Sequence, residues 1–479
     1  MIDISTPCLK KYFKIDNVED SNQSNSTEII KDITNDEPYN FDNSYKITSK
    51  DEQSILEQCL SLMNEFIENN PKSIAQENFT EDLKDNVFNI LMLTFSQVNN
   101  IELDYIVNNI INYAEELFYS SVIPRRSMKN QVFCYKKDHN KKIKKKLNYL
   151  KNLPQPEQRT DEWYKTRHNL ITASNAWKCL DTESNKNNII YEKCKDIDVN
   201  KYNNVNINSP MHHGVKYEPL TTLFYELKHN LKVDDFGCII HKDYKFLGAS
   251  PDGIVTDINS TRYGRMLEIK NVVNRKITGI PKKEYWIQMQ LQMETCKLNE
   301  CDFLETRFTE YEDSEQYIND DSYRVNDLEK LKGKILYFIK DEKPFYVYPD
   351  LRYTENEYLS WENSMMEKYK DLTWVKTIYW KLEEVSCVLV LRNKFWFNNI
   401  IQEIEEIWKT IEKERVTGFS HRIAKKRDVK PAAQEIIITQ LNNSIKTNIS
   451  QNISNTNNTT KTQTIKKPIC LISIDTETM

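Results

Sequence analysis

The sequence lacks the usual marks of membrane, secreted and zinc-binding proteins. It contains no run of about 18 apolar residues, so no transmembrane helix is expected. Its N-terminus carries acids and Asn where a signal peptide needs a basic start and an apolar core. The ten Cys are scattered without a C-x-x-C pair, which argues against a zinc site or a disulfide framework. We therefore expect an intracellular protein of a reducing compartment, not a secreted one.

A net positive charge is also missing. The 66 Lys and Arg against 71 Asp and Glu give a formal charge of −5. This balance excludes an overall basic nucleic-acid coat protein, but it leaves room for a local basic groove. Hydrophobic residues make up only 39% of the chain, so part of it is expected to be unfolded. Of the eight Gly, seven lie between Gly214 and Gly333, and tight turns should be concentrated there.

Three regions precede residue 157. Residues 1–50 are expected to form a disordered acidic region, since eight acids and one base lie between Asp16 and Asp42. Residues 51–135 are expected to form a helical domain, because apolar residues recur at helical spacing in three segments. Residues 136–156 are rich in lysine and are predicted to be a basic linker. The lysines favour equally a solvated linker or localisation signal and an arm that binds polyphosphate.

The pattern of apolar and polar residues changes twice in the rest of the chain. From 157 to 348, short strand-like runs alternate with helical segments, including helices over about 212–227 and 283–297. Such alternation is typical of an α/β domain around a mixed sheet. Residues 349–430 are expected to form a helical C-terminal region. Residues 431–479, rich in Asn, Thr and Ser, are predicted to be a disordered polar tail.

The sharpest chemical signal is SPDG at 250–253 followed by EIK at 268–270, with fifteen residues between Asp252 and Glu268. The Pro and Gly beside Asp252 predict a turn after a short strand. Glu268 and Lys270 lie two apart on an apolar strand, so their side chains leave the same face. A hairpin between the two segments would bring Asp252 beside Glu268.

Two converging carboxylates repel each other unless a cation lies between them. Mg²⁺ prefers such oxygen ligands and commonly adds substrate phosphate oxygens, with Mn²⁺ as the alternative ion. Protonated Lys270 is no ligand, but it can orient a water or stabilise charge on a phosphate. This combination is that of metal-assisted phosphodiester hydrolysis. Alone, the motif is equally compatible with a β-hairpin that carries exposed acids and a surface lysine.

Four separated blocks resemble, in the same order, the lambda-exonuclease-like, YqaJ-type viral recombinase family of PD-(D/E)xK nucleases. They are WYKTR at 163–167 running into ITAS at 171–174, GVKYEP at 214–219, SPDG with EIK, and YWIQMQ at 285–290. Together they cover about residues 157–310, roughly a third of the chain. One departure is Asn169, where the family often has Gly. The resemblance implies a restriction-endonuclease-like core, which is a mixed β-sheet flanked by helices.

The resemblance also assigns metal-side residues. It implies that Glu218, on a helix with an apolar face, completes a metal-binding cluster with Asp252 and Glu268. The Ile269 carbonyl is implied as a further ligand. Without the resemblance, Glu218 is interpreted as a surface or first-turn acid of its helix.

A glutamine is implied in the same site. Gln288 matches the active-site Gln of the family, and an uncharged amide can hold water or a phosphate oxygen without neutralising the metal ligands. Gln290 and Gln292 are expected to face elsewhere, because neighbours two apart on a helix do not share a face.

Arg167 is the candidate for substrate recognition. A guanidinium grips phosphate bidentately and stays charged. The resemblance implies that Arg167 binds the 5′ phosphate of DNA, although a helix-surface arginine is the plain alternative. Ser174 is expected either to cap the next helix or to add a hydroxyl to that phosphate. A 5′-phosphate pocket would explain digestion that depends on a DNA end.

We therefore predict an α/β fold with a nuclease core at 157–348, a helical N-terminal domain, helical C-terminal additions and a disordered tail. The expected function is a Mg²⁺-dependent deoxyribonuclease, an exonuclease on linear duplex DNA in viral recombination or genome processing. The alternatives are a structure-specific endonuclease on the same core and a catalytically inactive DNA-binding or scaffold protein.

The expected partner is DNA. A single-strand annealing or replication protein and a second copy of the chain are further candidates, and no membrane is expected. The expected location is the host cytoplasm, a viral factory or the nucleus.

Overall fold

The computed structural model describes residues 47–96, 102–133, 137–156, 158, 160–197, 206–325, 328 and 330–423. The polar tail and nearly all of the acidic region predicted from the sequence lie outside these residues. None of the helices in the described part of the chain combines the length and the hydropathy that a membrane span requires. The chain divides into two compact units, and the first draws on the ranges 1–63 and 84–116.

The first unit is helical, as predicted, but it is smaller than the helical domain predicted at 51–135, because 64–83 and 117–135 belong to the second unit. It contains most of α1 (Ser49–Asn69), α2 (Phe79–Thr94) and α3 (Leu103–Ser121). Its buried apolar side chains follow helical spacing: Ile55, Cys59 and Met63 in α1, Val87 and Leu91 in α2, and Val107, Ile111 and Ala114 in α3. Each helix therefore buries one stripe and leaves its polar face exposed.

The second unit, 64–83 with 117–479, has the predicted mixed sheet flanked by helices. Its helices are α4 (Lys137–Lys151), α5 (Asp161–His168), α6 (Glu183–Cys194), α7 (Pro210–His229), α8 (Lys283–Cys296), α9 (Ser314–Asn319), α10 (Glu355–Lys368) and α11 (Lys394–Thr417). Its strands are β1 (Met128–Lys129), β2 (Ile171–Thr172), β3 (Val233–Asp234), β4 (Ile239–Ile240), β5 (Leu247–Ala249), β6 (Gly253–Val255), β7 (Met266–Asn271), β8 (Glu300–Glu310), β9 (Lys332–Lys340), β10 (Lys343–Val347) and β11 (Thr373–Leu391). The predicted helices over 212–227 and 283–297 are confirmed as α7 and α8.

The main sheet has the strand order β10-β9-β11-β8-β7-β6-β3, and β1 pairs with β11. Within it, β7 and β8 are parallel, and the other described pairs are antiparallel. A small second sheet has the order β2-β5-β4. Strand β7 lies deep in the main sheet, and Met266, Leu267 and Glu268 have no exposed surface. The segment predicted to carry catalysis is therefore a rigid central strand.

The prediction of a helical C-terminal region over 349–430 is incomplete, because the region also contains a long strand. Helices α10 and α11 are present, but β11 separates them and is 19 residues long. It lies inside the main sheet and pairs with both β8 and β9. Its buried Ile378, Trp380 and Leu382 alternate with more exposed residues, as they do in a strand that packs one face on a core.

The basic linker predicted at 136–156 is also corrected. Most of it forms α4, in which Ile143, Leu147 and Leu150 are at most 5% exposed. These apolar residues are four and three apart, so they share one helix face. Burial of that face makes α4 part of the folded unit, with the lysines on the opposite side.

Candidate active site

The hairpin predicted between the two motif segments is present. Strand β6 pairs antiparallel with β7, with Gly253 opposite Leu267. Asp252, immediately before β6, accepts a hydrogen bond at Oδ2 from the Ile269 backbone N–H at 2.7 Å. A Cβ on Gly253 would lie 2.3 Å from Val233 Cγ1, so only glycine allows β6 to approach β3 this closely. These contacts fix the Asp252 carboxylate beside the strand that carries Glu268.

Strand β7 divides the site into two sides. Leu267 and Ile269 pack in a cluster with Tyr225 of α7, whereas Glu268 accepts a hydrogen bond at Oε2 from Gln292 of α8, at 2.7 Å. The alternation follows from the strand period of two. Glu268 and Lys270 consequently face α8, as the sequence predicted for side chains that share one face.

Helix α7, which carries Glu218, is held against the end of β7. Asn271, at the end of β7, donates to the Gly214 carbonyl at 3.1 Å and accepts from Thr221 Oγ1 at 2.7 Å. Gly214, Glu218 and Thr221 are four and three apart, so they lie on the same face of the helix. The two contacts around Asn271 therefore direct the turn with Glu218 toward β7.

The charges of Glu268 and Glu218 both act on Asp252. Burial raises the pKa of Asp252 well above its ordinary value, and the charges of Glu268 and Glu218 raise it further. The nearby Lys270 and the hydrogen bond from Ile269 lower this pKa, but by less. The negative charge of Asp252 is thus destabilised by its surroundings, which is the electrostatic setting in which a cation binds.

Lys270 is the cation that already faces this charge. It donates to Glu268 Oε1 and lies 4.9 Å from the centroid of the Tyr285 ring. Burial lowers the pKa of Lys270, but Glu268 and Asp252 raise it by more, so the net shift is upward. Lys270 is accordingly protonated at neutral pH and cannot serve as a general base in this arrangement.

The donor set suits a hard divalent cation by charge. Asp252 experiences the negative charges of Glu218 and Glu268, and the buried Gln292 Oε1 accepts no hydrogen bond from any described residue. The side-chain positions do not form a complete metal site. Among the described residues, no three His, Cys, Asp or Glu side chains are close enough to hold a metal ion. Glu268 accepts hydrogen bonds at both oxygens, from Lys270 and from Gln292. The predicted metal ligands, including the Ile269 carbonyl, therefore stay a prediction.

Arg167 lies against the same motif. It lies in the last turn of α5 and donates from one terminal guanidinium nitrogen to Ser250 Oγ at 3.3 Å and from the other to Ser174 Oγ at 3.1 Å. Its Cζ lies 4.3 Å from the centroid of the Trp163 ring. Ser250 directly precedes Pro251 and Asp252, so the guanidinium stands next to the turn that carries the first carboxylate.

The backbone at the end of α5 is fixed from another helix. The buried Lys193 of α6 donates to the Arg167 carbonyl at 2.7 Å. Burial and the charge of Arg167 lower the pKa of Lys193 to about 7. No feature of the sequence distinguishes this lysine from many others. Ser250, by contrast, could have been found, because it adjoins the motif.

Two roles were predicted for Ser174, and the structure does not support the first, which is helix capping. The following 3₁₀ helix, Ala176–Leu180, has Asn175 as its N-cap residue, and the Asn175 side chain makes no capping hydrogen bond. Ser174 instead accepts from Arg167 and lies 3.2 Å from Thr172 Oγ1. Its hydroxyl is thus held beside the guanidinium, where the other predicted role would place it.

The range that contains these residues matches a known family. Residues 162–299 match the YqaJ-like viral recombinase domain. The resemblance predicted from the four blocks is therefore confirmed for this segment, and every candidate residue from Arg167 to Gln292 lies inside it.

Longer comparisons extend beyond the recombinase-like domain. An uncharacterised protein of Acanthamoeba polyphaga mimivirus is 30% identical over 319 residues, which are 57% of this chain and 56% of that protein. This match spans just over half the length of that relative. An alkaline exonuclease from Laribacter hongkongensis is 21% identical, with a TM-score of 0.31, over 53% of this chain and 94% of the other. A second structure of that exonuclease, in complex with dAMP, is 20% identical with a TM-score of 0.32.

Within the recombinase-like domain, the prediction for the glutamines is half right. Gln290 faces away from β7, since it donates to the Leu391 carbonyl and accepts from the Asn393 N–H. Gln292 does not face away, because it binds Glu268. It lies four residues after Gln288, and residues four apart share a helix face. The spacing was thus sufficient to place Gln292 toward the site, and the role of Gln288 stays a prediction.

Gln292 should therefore act as a positioning residue for Glu268. We expect Gln292→Met to weaken apparent Mg²⁺ affinity by roughly 10- to 100-fold, the range for changes behind a metal ligand. The measurement is DNA cleavage as a function of Mg²⁺ concentration. Gln290→Met is the matched control, because it removes a buried amide from the same helix without touching β7. It should lower the melting temperature and leave the Mg²⁺ dependence unchanged. Equal Mg²⁺ dependence in both variants would contradict the role.

Proposed function

We propose that this protein is a metal-dependent DNA exonuclease that hydrolyses phosphodiester bonds from duplex ends, with Mg²⁺ as the preferred ion and Mn²⁺ as the alternative. The observation that carries the proposal is the β6–β7 hairpin, which places Asp252 beside Glu268 and Lys270. The match of residues 162–299 to a viral recombinase domain supports a role in viral DNA recombination or genome processing.

The proposed metal ligands are Glu218, Asp252, Glu268 and the Ile269 carbonyl. When bound, the cation would polarise a phosphoryl oxygen and lower the pKa of a bound water. Its charge would also relieve the repulsion that raises the pKa of Asp252.

The other residues act by charge and hydrogen bonding. Protonated Lys270 stabilises negative charge that develops on the phosphate, since it carries a full charge beside Glu268. Gln288, half-buried on the α8 face shared with Gln292, would hold water or a phosphate oxygen. The intact trio of Asp252, Glu268 and Lys270 argues against a catalytically inactive scaffold.

End recognition would fall to Arg167, Ser174 and Ser250. The two serines hold the guanidinium by one nitrogen each, so its planar fork is oriented before a substrate arrives. A fork of this kind binds phosphate bidentately. Because Ser250 is two residues from Asp252, a 5′ phosphate held at Arg167 would lie next to the catalytic turn.

We expect a linear duplex with 5′-phosphate ends to be digested faster than one with 5′-hydroxyl ends. Arg167→Ala should erase this difference without destroying metal binding. Arg167→Lys should fall between wild type and Arg167→Ala, since lysine keeps the charge but loses the fork. The measurement is the initial rate on the two end-labelled duplexes. Equal wild-type rates on both would remove the end-recognition role.

An end requirement separates the exonuclease from the structure-specific endonuclease alternative. The proposal predicts that covalently closed circular duplex DNA survives with Mg²⁺ under conditions in which the linearised molecule is degraded. Cleavage of both forms at similar rates would favour the endonuclease, and cleavage of neither would favour a scaffold role. A Glu268→Gln variant serves as the control for contaminating nucleases.

A further inference from the structure

The lysine-rich helix α4 is not used by the active site, yet its charged side faces solvent. Lys141, Lys142, Lys144 and Lys145 are all exposed, whereas the buried side carries Ile143, Leu147 and Leu150. We call these four lysines the α4 basic face. They lie within five consecutive residues, about 6 Å along the helix axis, and form a dense cluster of positive charge.

Further cations surround this helix. Burial lowers the pKa of Lys146, and the charges of Arg392, Lys394, Lys142 and Lys297 lower it further. Lys394, at the start of α11, is exposed. Lys142, Lys144 and Lys145 form no ion pair with any described residue. Arg392 and Lys297 both form ion pairs with Glu294, so the excess positive charge near α4 comes from the α4 basic face and Lys394, although the whole chain has a formal charge of −5.

Helix α4 is anchored to the elements that build the active site. Lys146 donates to the carbonyl of Lys297, the C-cap residue of α8. Lys151 forms an ion pair of 2.5 Å with Asp234 of β3, the strand next to β6. In the β6–β7 loop, a Cβ on Gly264 would lie 2.4 Å from Ile143 Cγ2, so the loop packs directly on α4.

The contact between Gly264 and Ile143 allows the distance from α4 to the active-site residue Glu268 to be estimated. Gly264 precedes Glu268 by four residues, which is about 13 Å of extended strand, and the α4 basic face lies across the helix from Ile143, about 10 Å further away. A duplex that reaches the Glu268 side of β7 has one phosphate charge per roughly 1.7 Å of its axis. A duplex of about ten base pairs is therefore long enough to reach α4 while its end occupies the site.

We propose that the α4 basic face binds the phosphate backbone of duplex DNA and holds the substrate behind the end that is being digested. The choice of DNA as the polyanion rests on the proposed function. Lysines act as point charges on mobile stems, so the contact should be independent of base sequence. A localisation signal read by another protein is the alternative, and it requires no affinity for DNA.

The test compares three full-length proteins: wild type, the triple variant Lys142→Gln/Lys144→Gln/Lys145→Gln, and a control, Lys340→Gln/Lys343→Gln/Lys368→Gln. The control removes the same charge from exposed lysines of β9, β10 and α10. Binding of a labelled linear duplex is measured by fluorescence anisotropy in EDTA at several salt concentrations, so that no cleavage is needed.

Each lost phosphate contact should reduce the slope of log K against log salt by about 0.9. Loss of three contacts should thus reduce the affinity change between 50 and 200 mM salt by roughly 40-fold. We expect this reduction in the α4 variant and not in the control, at unchanged melting temperature. With Mg²⁺, the α4 variant should show a raised KM on long duplexes and an unchanged kcat.

The outcomes separate this inference from the proposed function. A wild-type slope in the α4 variant would overturn the α4 basic face as a DNA contact, even if the wild-type protein digests DNA ends. A reduced slope would support the contact even if no cleavage occurred, and in that case the exonuclease proposal alone would fail. An equal loss in both triple variants would overturn the inference, because it would show a general effect of charge.

Discussion

Asp252→Asn should abolish Mg²⁺-dependent DNA cleavage while leaving the protein folded. The change removes a negative oxygen from the candidate metal site but keeps an acceptor for the Ile269 N–H, which Asp252 binds at 2.7 Å. The loss should exceed the roughly 10- to 100-fold that changes behind a metal ligand produce. The measurement is the cleavage rate of linear duplex DNA at saturating Mg²⁺.

The same variant should be at least as stable as the wild type without metal. The pKa of Asp252 is raised on folding, so its ionised form destabilises the folded state at every pH above the unfolded value of about 3.9. Asn carries no charge and removes this penalty at pH 7. Thermal unfolding in EDTA checks the sign, and a lower melting temperature with intact cleavage would contradict both expectations.

Asp243→Asn is the matched control for this prediction. It makes the same chemical change in the loop between β4 and β5, where the Asp243 side chain is 62% exposed. Its rate and its melting temperature should both equal those of the wild type. A loss of cleavage in this control would show that the assay responds to general changes in charge.

Lys270→Met should lower the cleavage rate on the order of 10²-fold or more, the scale for removal of an electrostatic stabiliser. Its effect on metal binding should have the opposite sign. In the structure, Lys270 donates to Glu268 Oε1, so it competes with a cation for that oxygen. Apparent Mg²⁺ affinity should therefore be equal to or higher than in the wild type.

The pair of measurements for Lys270 is a titration of Mg²⁺ binding by calorimetry and the rate at saturating Mg²⁺. Lys270→Arg keeps the positive charge and should retain part of the rate, which separates charge from shape. Lost Mg²⁺ affinity combined with a restored rate at saturating Mg²⁺ would show that Lys270 supports the metal and not the phosphate.

The sequence was most informative where residues suited to catalysis also follow the two-residue repeat of a β-strand. The spacing of Asp252, Glu268 and Lys270 was enough to predict the hairpin and the shared face of the last two. Helix period likewise predicted α7 and α8. The contact from Gln292 to Glu268 was missed, although its distance of four residues from Gln288 places both on one face.

Other features depend on contacts between distant segments. The alternation of Ile378, Trp380 and Leu382 indicates a strand, but pairing with both β8 and β9 makes β11 a central strand. The ordering of Arg167 needs Ser250, which is 83 residues away in the chain. For α4, the helical spacing of Ile143, Leu147 and Leu150 could have been read from the sequence. The many lysines around them made the segment resemble a polar linker instead.

One measurement tests the central claim most directly: the release of nucleotides from a linear duplex labelled at its 5′ or 3′ ends, with Mg²⁺ or with EDTA. The account predicts release in Mg²⁺ from wild-type protein, none in EDTA, and none from Asp252→Asn or Glu268→Gln under either condition. Release at the wild-type rate by both variants, or release that persists in EDTA, would contradict the assignment of this hairpin as a metal-dependent nuclease site.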